Sequence, residues 1–344
     1  MPMLDTLPTP ADVAAAHPLP ATAADDIARH RNTVADVLAG RDPRLLVVVG
    51  PCSVHDPLAA LEYARLLAAE ASRLADDLVV VLRAYLEKPR TVSGWTGLLT
   101  DPALEGKGDI ATGLQVGRAF LVEAAALGLP LAYEFVDPML AHHVADTVSW
   151  GAVGARTVAA QPHRHLASWL PMPVGLKNCV TGHLGTAIDA IRASRLPHTF
   201  PGVGLDGRLT TLRSTGNPDT HLVLRGGREP NYGAAHVSAA LDALNAAGLP
   251  PRVVVDASHG NSGKDHNRQP GVVEDLAGQI AAGNRRLTGV MIESYLSDGN
   301  QKAPRRPDVS LTDACLGWAR TPPLLGVRAR AGRARTAVPS AATV

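Results

Sequence analysis

The sequence has few cysteines and no excess of charge of either sign. Its three thiols, Cys52, Cys179 and Cys315, are odd in number and widely spaced, which fits reduced cysteines better than a disulfide framework. Lys and Arg (33) nearly balance Asp and Glu (32), so no global field draws the chain to nucleic acid or to an anionic membrane. Any anion recognition has to be local. No apolar run approaches the length of a membrane span, and the opening MPMLDTLPTP lacks the basic and apolar regions of a signal peptide. The expectation is a cytoplasmic protein with no membrane contact. Internal repeats are absent too, apart from one alternation.

That alternation is the main positive signal. The chain has 344 residues, 46% of them hydrophobic, which suits one large domain. Short β-branched runs at 45–53, 78–86, 130–136, 152–158, 173–179, 221–227, 252–260 and 288–295 alternate with Ala/Leu-rich segments of helical period, such as 57–74, 111–128 and 234–248. Eight strand-then-helix units predict a (β/α)8 barrel, with an open doubly wound sheet as the second choice. Residues 1–40 read as an N-terminal extension with one helix, 41–324 as the barrel, and 325–344 as a flexible tail low in bulky apolar residues.

The ends of the apolar runs carry reactive side chains: Cys52, Arg83, Glu134, Arg156, Lys177, Arg225, His259 and Glu293. Each alone has a bland explanation. A strand-end Cys is most often a packing residue, and a strand-end Arg is usually a solvated rim charge. In a parallel barrel, however, all these ends share the face on which active sites are built. Cys52, His259 and Glu293, with Asp313 nearby, offer the mixed thiolate, imidazole and carboxylate set of a borderline divalent metal: Mn, Co, Fe or Zn. Arg83, Arg156, Lys177 and Arg225, with Lys88 and Arg90, form a cationic group that calls for anions, so the substrates should be phosphorylated or carboxylated acids. Cys179 and Cys315 keep the packing role.

The stretches VVVGPCSVHDP, LRAYLEKPRTVSGWTGLLTDP, GARTVAAQPHRHLAS, PVGLKN, LRGGREPNY, DASHGNSGKD and VMIESYLSDGNQ occur in that order within a collinear match from about residue 7 to residue 318. Together they resemble the class I 3-deoxy-D-arabino-heptulosonate 7-phosphate (DAHP) synthases, the metal-dependent enzymes that open the shikimate pathway. The resemblance implies a (β/α)8 barrel with one divalent metal ion, which condenses phosphoenolpyruvate with erythrose 4-phosphate and releases phosphate. By position in the motifs, Cys52, His259, Glu293 and Asp313 would hold the metal. Arg83, Arg156, Lys177 and Arg225 would bind phosphoenolpyruvate, and Arg90 and Thr91 the phosphate of erythrose 4-phosphate. Lys88 would sit by the aldehyde and Glu134 by the attacking water, so the expected catalytic residues are Lys88, Glu134 and His259. Relatives are commonly homo-oligomers, dimers or tetramers.

Three segments depart from the family pattern. KAPRRPDVSLTDAC is shorter and richer in Pro than the usual loop before Asp313, and VAAQPHR stands where relatives carry TESQ. The segment 201–217, PGVGLDGRLTTLRSTGN, also differs, and in feedback-regulated relatives this region lies near the inhibitor pocket. Such drift fits a copy serving a specialised aromatic pathway as well as aromatic amino acid biosynthesis. The remaining alternatives are the same chemistry with another aldose phosphate such as arabinose 5-phosphate, a catalytically silent regulatory barrel, and a metal aldolase that does not use phosphoenolpyruvate.

Overall fold

A computed structural model describes residues 6–337. Its strands are β1 Leu45–Gly50, β2 Leu78–Arg83, β3 Leu131–Glu134, β4 Trp150–Val153, β5 Val174–Lys177, β6 Thr199–Val203, β7 Leu209–Arg213, β8 His221–Leu224, β9 Val253–Asp256 and β10 Leu287–Glu293. Eight of them close into a parallel barrel in the order β1-β10-β9-β8-β5-β4-β3-β2, while β6 and β7 form a separate antiparallel hairpin. The closed barrel is therefore the fold, and the open sheet is excluded.

Burial explains why these runs became strands. Every residue of the eight barrel strands is buried, and alternate side chains enter two cores. Leu45, Val47 and Val49 pack outward against the helices, whereas Leu46 and Val48 join Val79, Val81, Trp150, Val223, Val254 and Met291 inside the barrel. The helix Ala21–Ala39 adds Val34, Val37 and Leu38 to that inner core. It also donates from Arg31 to the Val148 and Ala145 carbonyls at 2.9 and 2.7 Å, so the extension is fixed to the barrel. Helix starts follow capping chemistry: Asp56 accepts from the Ala59 amide ahead of Pro57, and Asp109 from the Thr112 amide.

Four expectations need correction. The extension carries two helices, because Pro10–Ala16 precedes Ala21–Ala39 and is capped by a Thr9–Asp12 capping box. The tail begins as helix: Thr321–Ala337 packs on the helix Gln269–Ala281 and on β1, burying Leu324, Leu325 and Ala329, while residues 338–344 lie outside the described residues. The strand expected at 152–158 lies at 150–153, since the Thr157 and Val158 amides turn back to the Gly154 carbonyl. The segment 201–217, which carries no strand pattern in the sequence, contributes to the β6–β7 hairpin. That hairpin bounds an apolar cavity of about 270 Å³ with His142, Leu166 and Trp169.

Among the described residues no helix is long and apolar enough to cross a membrane.

Candidate active site

The carboxyl ends of the strands open into a cleft of about 250 Å³, lined by Lys88, Arg90, Thr91, Glu134, Arg156, Lys177, Arg225, His259, Lys264 and Asp313 among others. Close backbone approach makes this convergence possible. Gly226, just past β8, has φ +75°, and a Cβ there would come within 2.4 Å of the Gly260 carbonyl carbon. The loops carrying Arg225 and His259 therefore touch through glycine backbone. His259 itself has φ +54°, a left-handed conformation that a non-glycine residue holds only where its surroundings enforce it.

One wall gathers metal-binding groups. Cys52 Sγ, a Glu293 oxygen and an Asp313 oxygen lie within 4.8 Å of one another. His259 stands at the edge of this group, its Nε2 3.8 Å from Glu293 Oε1. The other ring nitrogen, Nδ1, lies 2.7 Å from Ser258 Oγ and 2.9 Å from Asp256 Oδ2, and Ser258 Oγ donates to Asp256 Oδ1 at 2.6 Å. With acceptors gathered around Nδ1, Nε2 is left for a metal, a common supporting arrangement for a ligating histidine.

The donor set fits a divalent ion electrostatically as well as chemically. Burial, with Glu293 adding to it, pushes the Cys52 thiol up, so a cation would have to draw off its proton. Asp313 is the opposite: against the cost of burial, the ammonium groups of Lys88 and Lys264 hold its carboxyl down to about 2. Lys88 Nζ lies 2.7 Å from Cys52 Sγ and 3.8 Å from Asp313 Oδ2, placing an ammonium beside these donors.

The facing wall is cationic. Lys177, 2% exposed, lies 3.4 Å from Asp256 and 3.9 Å from Glu134. Although Glu134 is buried, Lys177 and then Arg83 hold its carboxyl below the usual range, so it stands ionised. Arg225 is 8% exposed, and its amide is fixed by Asn178 Oδ1 at 2.8 Å. Arg156 is exposed on the turn after β4 and donates from Nε to Thr91 Oγ1 at 2.9 Å, linking two expected anion-binding residues. Arg90 Nε donates to the Trp95 carbonyl at 2.7 Å, which orders the KPRT loop.

Arg83 is set apart from the other cations. It is 1% exposed and does not line the cleft. Its nitrogens reach the Pro51 and Cys52 carbonyls at 3.1 and 3.2 Å, Met291 Sδ at 2.9 Å and Glu293 Oε1 at 3.0 Å, and its guanidinium lies 3.8 Å over the Tyr85 ring. Arg83 thus sits directly behind Glu293, one of the expected metal donors. Sequence reasoning also passed over Lys264, Asp256, Ser258 and Glu87. Asp256 and Lys264 were visible in DASHGNSGKD, but only the three-dimensional turn brings Asp256 under the ring of His259.

Fold and site together define a (β/α)8 barrel whose carboxyl end gathers a group of possible metal donors and a set of cations. The family model for the DAHP synthetase I family matches residues 19–325, and the chain belongs to that family. It is 49% identical over 324 residues to the Tyr-sensitive phospho-2-dehydro-3-deoxyheptonate aldolase of Escherichia coli K12, covering 93% of this chain and 91% of that one. The Phe-sensitive enzyme of the same organism is 46% identical over 329 residues, 94% of each chain. A solved phospho-2-dehydro-3-deoxyheptonate aldolase from Francisella tularensis superposes with a TM-score of 0.95 at 37% identity, covering 97% of this chain and 99% of that one.

Proposed function

We propose that this chain condenses phosphoenolpyruvate with D-erythrose 4-phosphate and water, giving DAHP and inorganic phosphate in the first step of the shikimate pathway. The observation that carries this reading is one cleft that gathers the cations Lys88, Arg156, Lys177 and Arg225 with Glu134, His259 and Asp313, while Cys52 Sγ and a Glu293 oxygen lie buried within 4.8 Å of an Asp313 oxygen.

A divalent ion bound by Cys52, His259, Glu293 and Asp313 would supply Lewis acidity toward the aldehyde. Lys177, Arg156 and Arg225 hold the carboxylate and phosphate of phosphoenolpyruvate, and Arg90 and Thr91 hold the second phosphate. As C3 of phosphoenolpyruvate bonds to the aldehyde carbon, Lys88 gives its proton to the aldehyde oxygen. Water then adds to the electron-poor C2 and ionised Glu134 takes one of its protons; the C2–O bond to phosphate breaks as the remaining hydroxyl proton passes to the departing phosphate, leaving the C2 ketone. The ion is Mn, Co, Fe or Zn, the chain works in the cytoplasm with reduced thiols, and it assembles as a homo-oligomer.

Mass analysis of the product tests the substrate pair. A seven-carbon keto acid phosphate is expected from phosphoenolpyruvate and erythrose 4-phosphate. Turnover with arabinose 5-phosphate alone would overturn the acceptor assignment.

A further inference from the structure

Glu87 heads the EKPRT motif but does not line the cleft and is only 4% exposed. Its carboxylate is committed to the exit of β3. Oε2 accepts from the Tyr133 hydroxyl at 2.7 Å and the Val136 amide at 3.4 Å, and Oε1 accepts from the Asp137 amide at 3.0 Å. Tyr133 and Val136 bracket Glu134 in the chain, while Lys88 follows Glu87 directly. The backbone at Glu87 is pinned as well. Glu87 forms an antiparallel bridge with Gly97, and the Lys88 amide donates to the Thr96 carbonyl at 2.9 Å. Gly97 has φ +121°, and a Cβ there would lie 2.3 Å from the Leu86 carbonyl oxygen and 2.6 Å from Glu87 Cα. The loop of residues 88–97 therefore closes onto Glu87 only because residue 97 is glycine.

We propose that Glu87 is a positioning residue: its carboxylate clamps the KPRT loop to the exit of β3 and so keeps Lys88 and Glu134 in register. The inference rests on the roles given above to those two residues. Lys88 reaches the site on a flexible side chain, and an error of about 1 Å in placing a reacting group costs on the order of a hundredfold in rate. A carboxylate joining the residue before Lys88 to both sides of Glu134 removes that freedom. Burial pushes the Glu87 carboxyl up to about 7; the Tyr133 hydroxyl and the Asp137 and Val136 amides oppose the rise, and the Asp137 charge adds to it. Only the ionised form accepts at both oxygens without a proton of its own, so the clamp loosens as pH falls through neutrality.

The test compares Glu87→Gln, Tyr133→Phe, Lys88→Met and wild type as metal-reconstituted full-length enzyme, reading kcat, both KM values and the pH profile. Glu87→Gln is expected to lower kcat by roughly 10- to 100-fold, from the loss of one charged hydrogen bond, with KM for phosphoenolpyruvate little changed and the acid limb near neutrality gone. Tyr133→Phe keeps Glu87 but removes a donor that favours its ionised form, so its acid limb should move to higher pH. This second variant decides the matter if Glu87→Gln does not fold. A merely structural Glu87 would lower thermal stability while folded enzyme kept wild-type kcat and an unmoved acid limb, and that result overturns the inference. Should Lys88→Met retain turnover, the underlying role of Lys88 falls and the inference falls with it. An inactive Lys88→Met beside wild-type behaviour of both other variants sinks the clamp alone.

Discussion

At the scale of single residues, the two kinds of cation should behave differently on substitution. Lys88→Met removes the proposed proton donor and leaves Arg156, Lys177 and Arg225 in place, so turnover should vanish in a phosphate-release assay while a separate binding titration still shows phosphoenolpyruvate bound. Arg225→Ala should lower kcat/KM more than tenfold, because a charged hydrogen bond is worth roughly 1.5 to 3 kcal/mol. Arg83 supports Glu293 at 3.0 Å from behind the cleft wall. Arg83→Lys should therefore weaken metal affinity by about 10- to 100-fold and leave phosphoenolpyruvate affinity nearly intact, measured by metal and ligand titrations of the same sample. The reverse pattern would return Arg83 to the substrate. Cys52 and Lys88 each follow a recognisable run in the sequence, whereas Asp313 follows a segment that departs from the family pattern; the structure brings the three side chains together. The burial of Arg83 could not be read from the sequence, since its partners Met291 and Glu293 are some 210 positions away.

At the scale of elements, the barrel strands were legible because full burial on both faces selects continuous β-branched runs. Their ends were not, as extended loop and strand look alike in sequence: β4 stops at Val153, five residues before the end of the apolar run, and Arg156 belongs to a turn. The β6–β7 hairpin was missed because it is an insertion between β5 and β8, with mostly exposed side chains and little apolar alternation. The helix Thr321–Ala337 was mistaken for a tail because its arginines obscure the few apolar residues that dock it. The glycine contact between the loops after β8 and β9 has a measurable consequence. Gly226→Ala should destabilise the fold by about 2 to 3 kcal/mol in a denaturant titration and weaken phosphoenolpyruvate binding, because a Cβ at φ +75° meets backbone atoms that cannot yield.

At the scale of the whole molecule, the barrel separates chemistry at its carboxyl end from stability at its amino end. There, His221 at the start of β8 accepts from the Trp150 indole at 3.2 Å and donates to the Asp219 carbonyl at 3.0 Å, so both ring nitrogens are occupied in the neutral form. Burial lowers its pKa from 6.5 to about 4. Below pH 6.5 the unfolded chain takes up a proton that the folded chain refuses. The contribution is thus fully present above 6.5 and lost as pH falls toward 4, a change on the order of 3 kcal/mol. Urea denaturation across that window should show a shallower pH dependence for His221→Gln than for wild type. The central claim, a metal-dependent condensation at the opposite end, is tested most directly by phosphate release from metal-reconstituted protein, with phosphoenolpyruvate alone, with both substrates, and after EDTA treatment. Release that requires both substrates and the ion is the predicted result. A folded protein that binds metal and phosphoenolpyruvate yet releases no phosphate with erythrose 4-phosphate would contradict it.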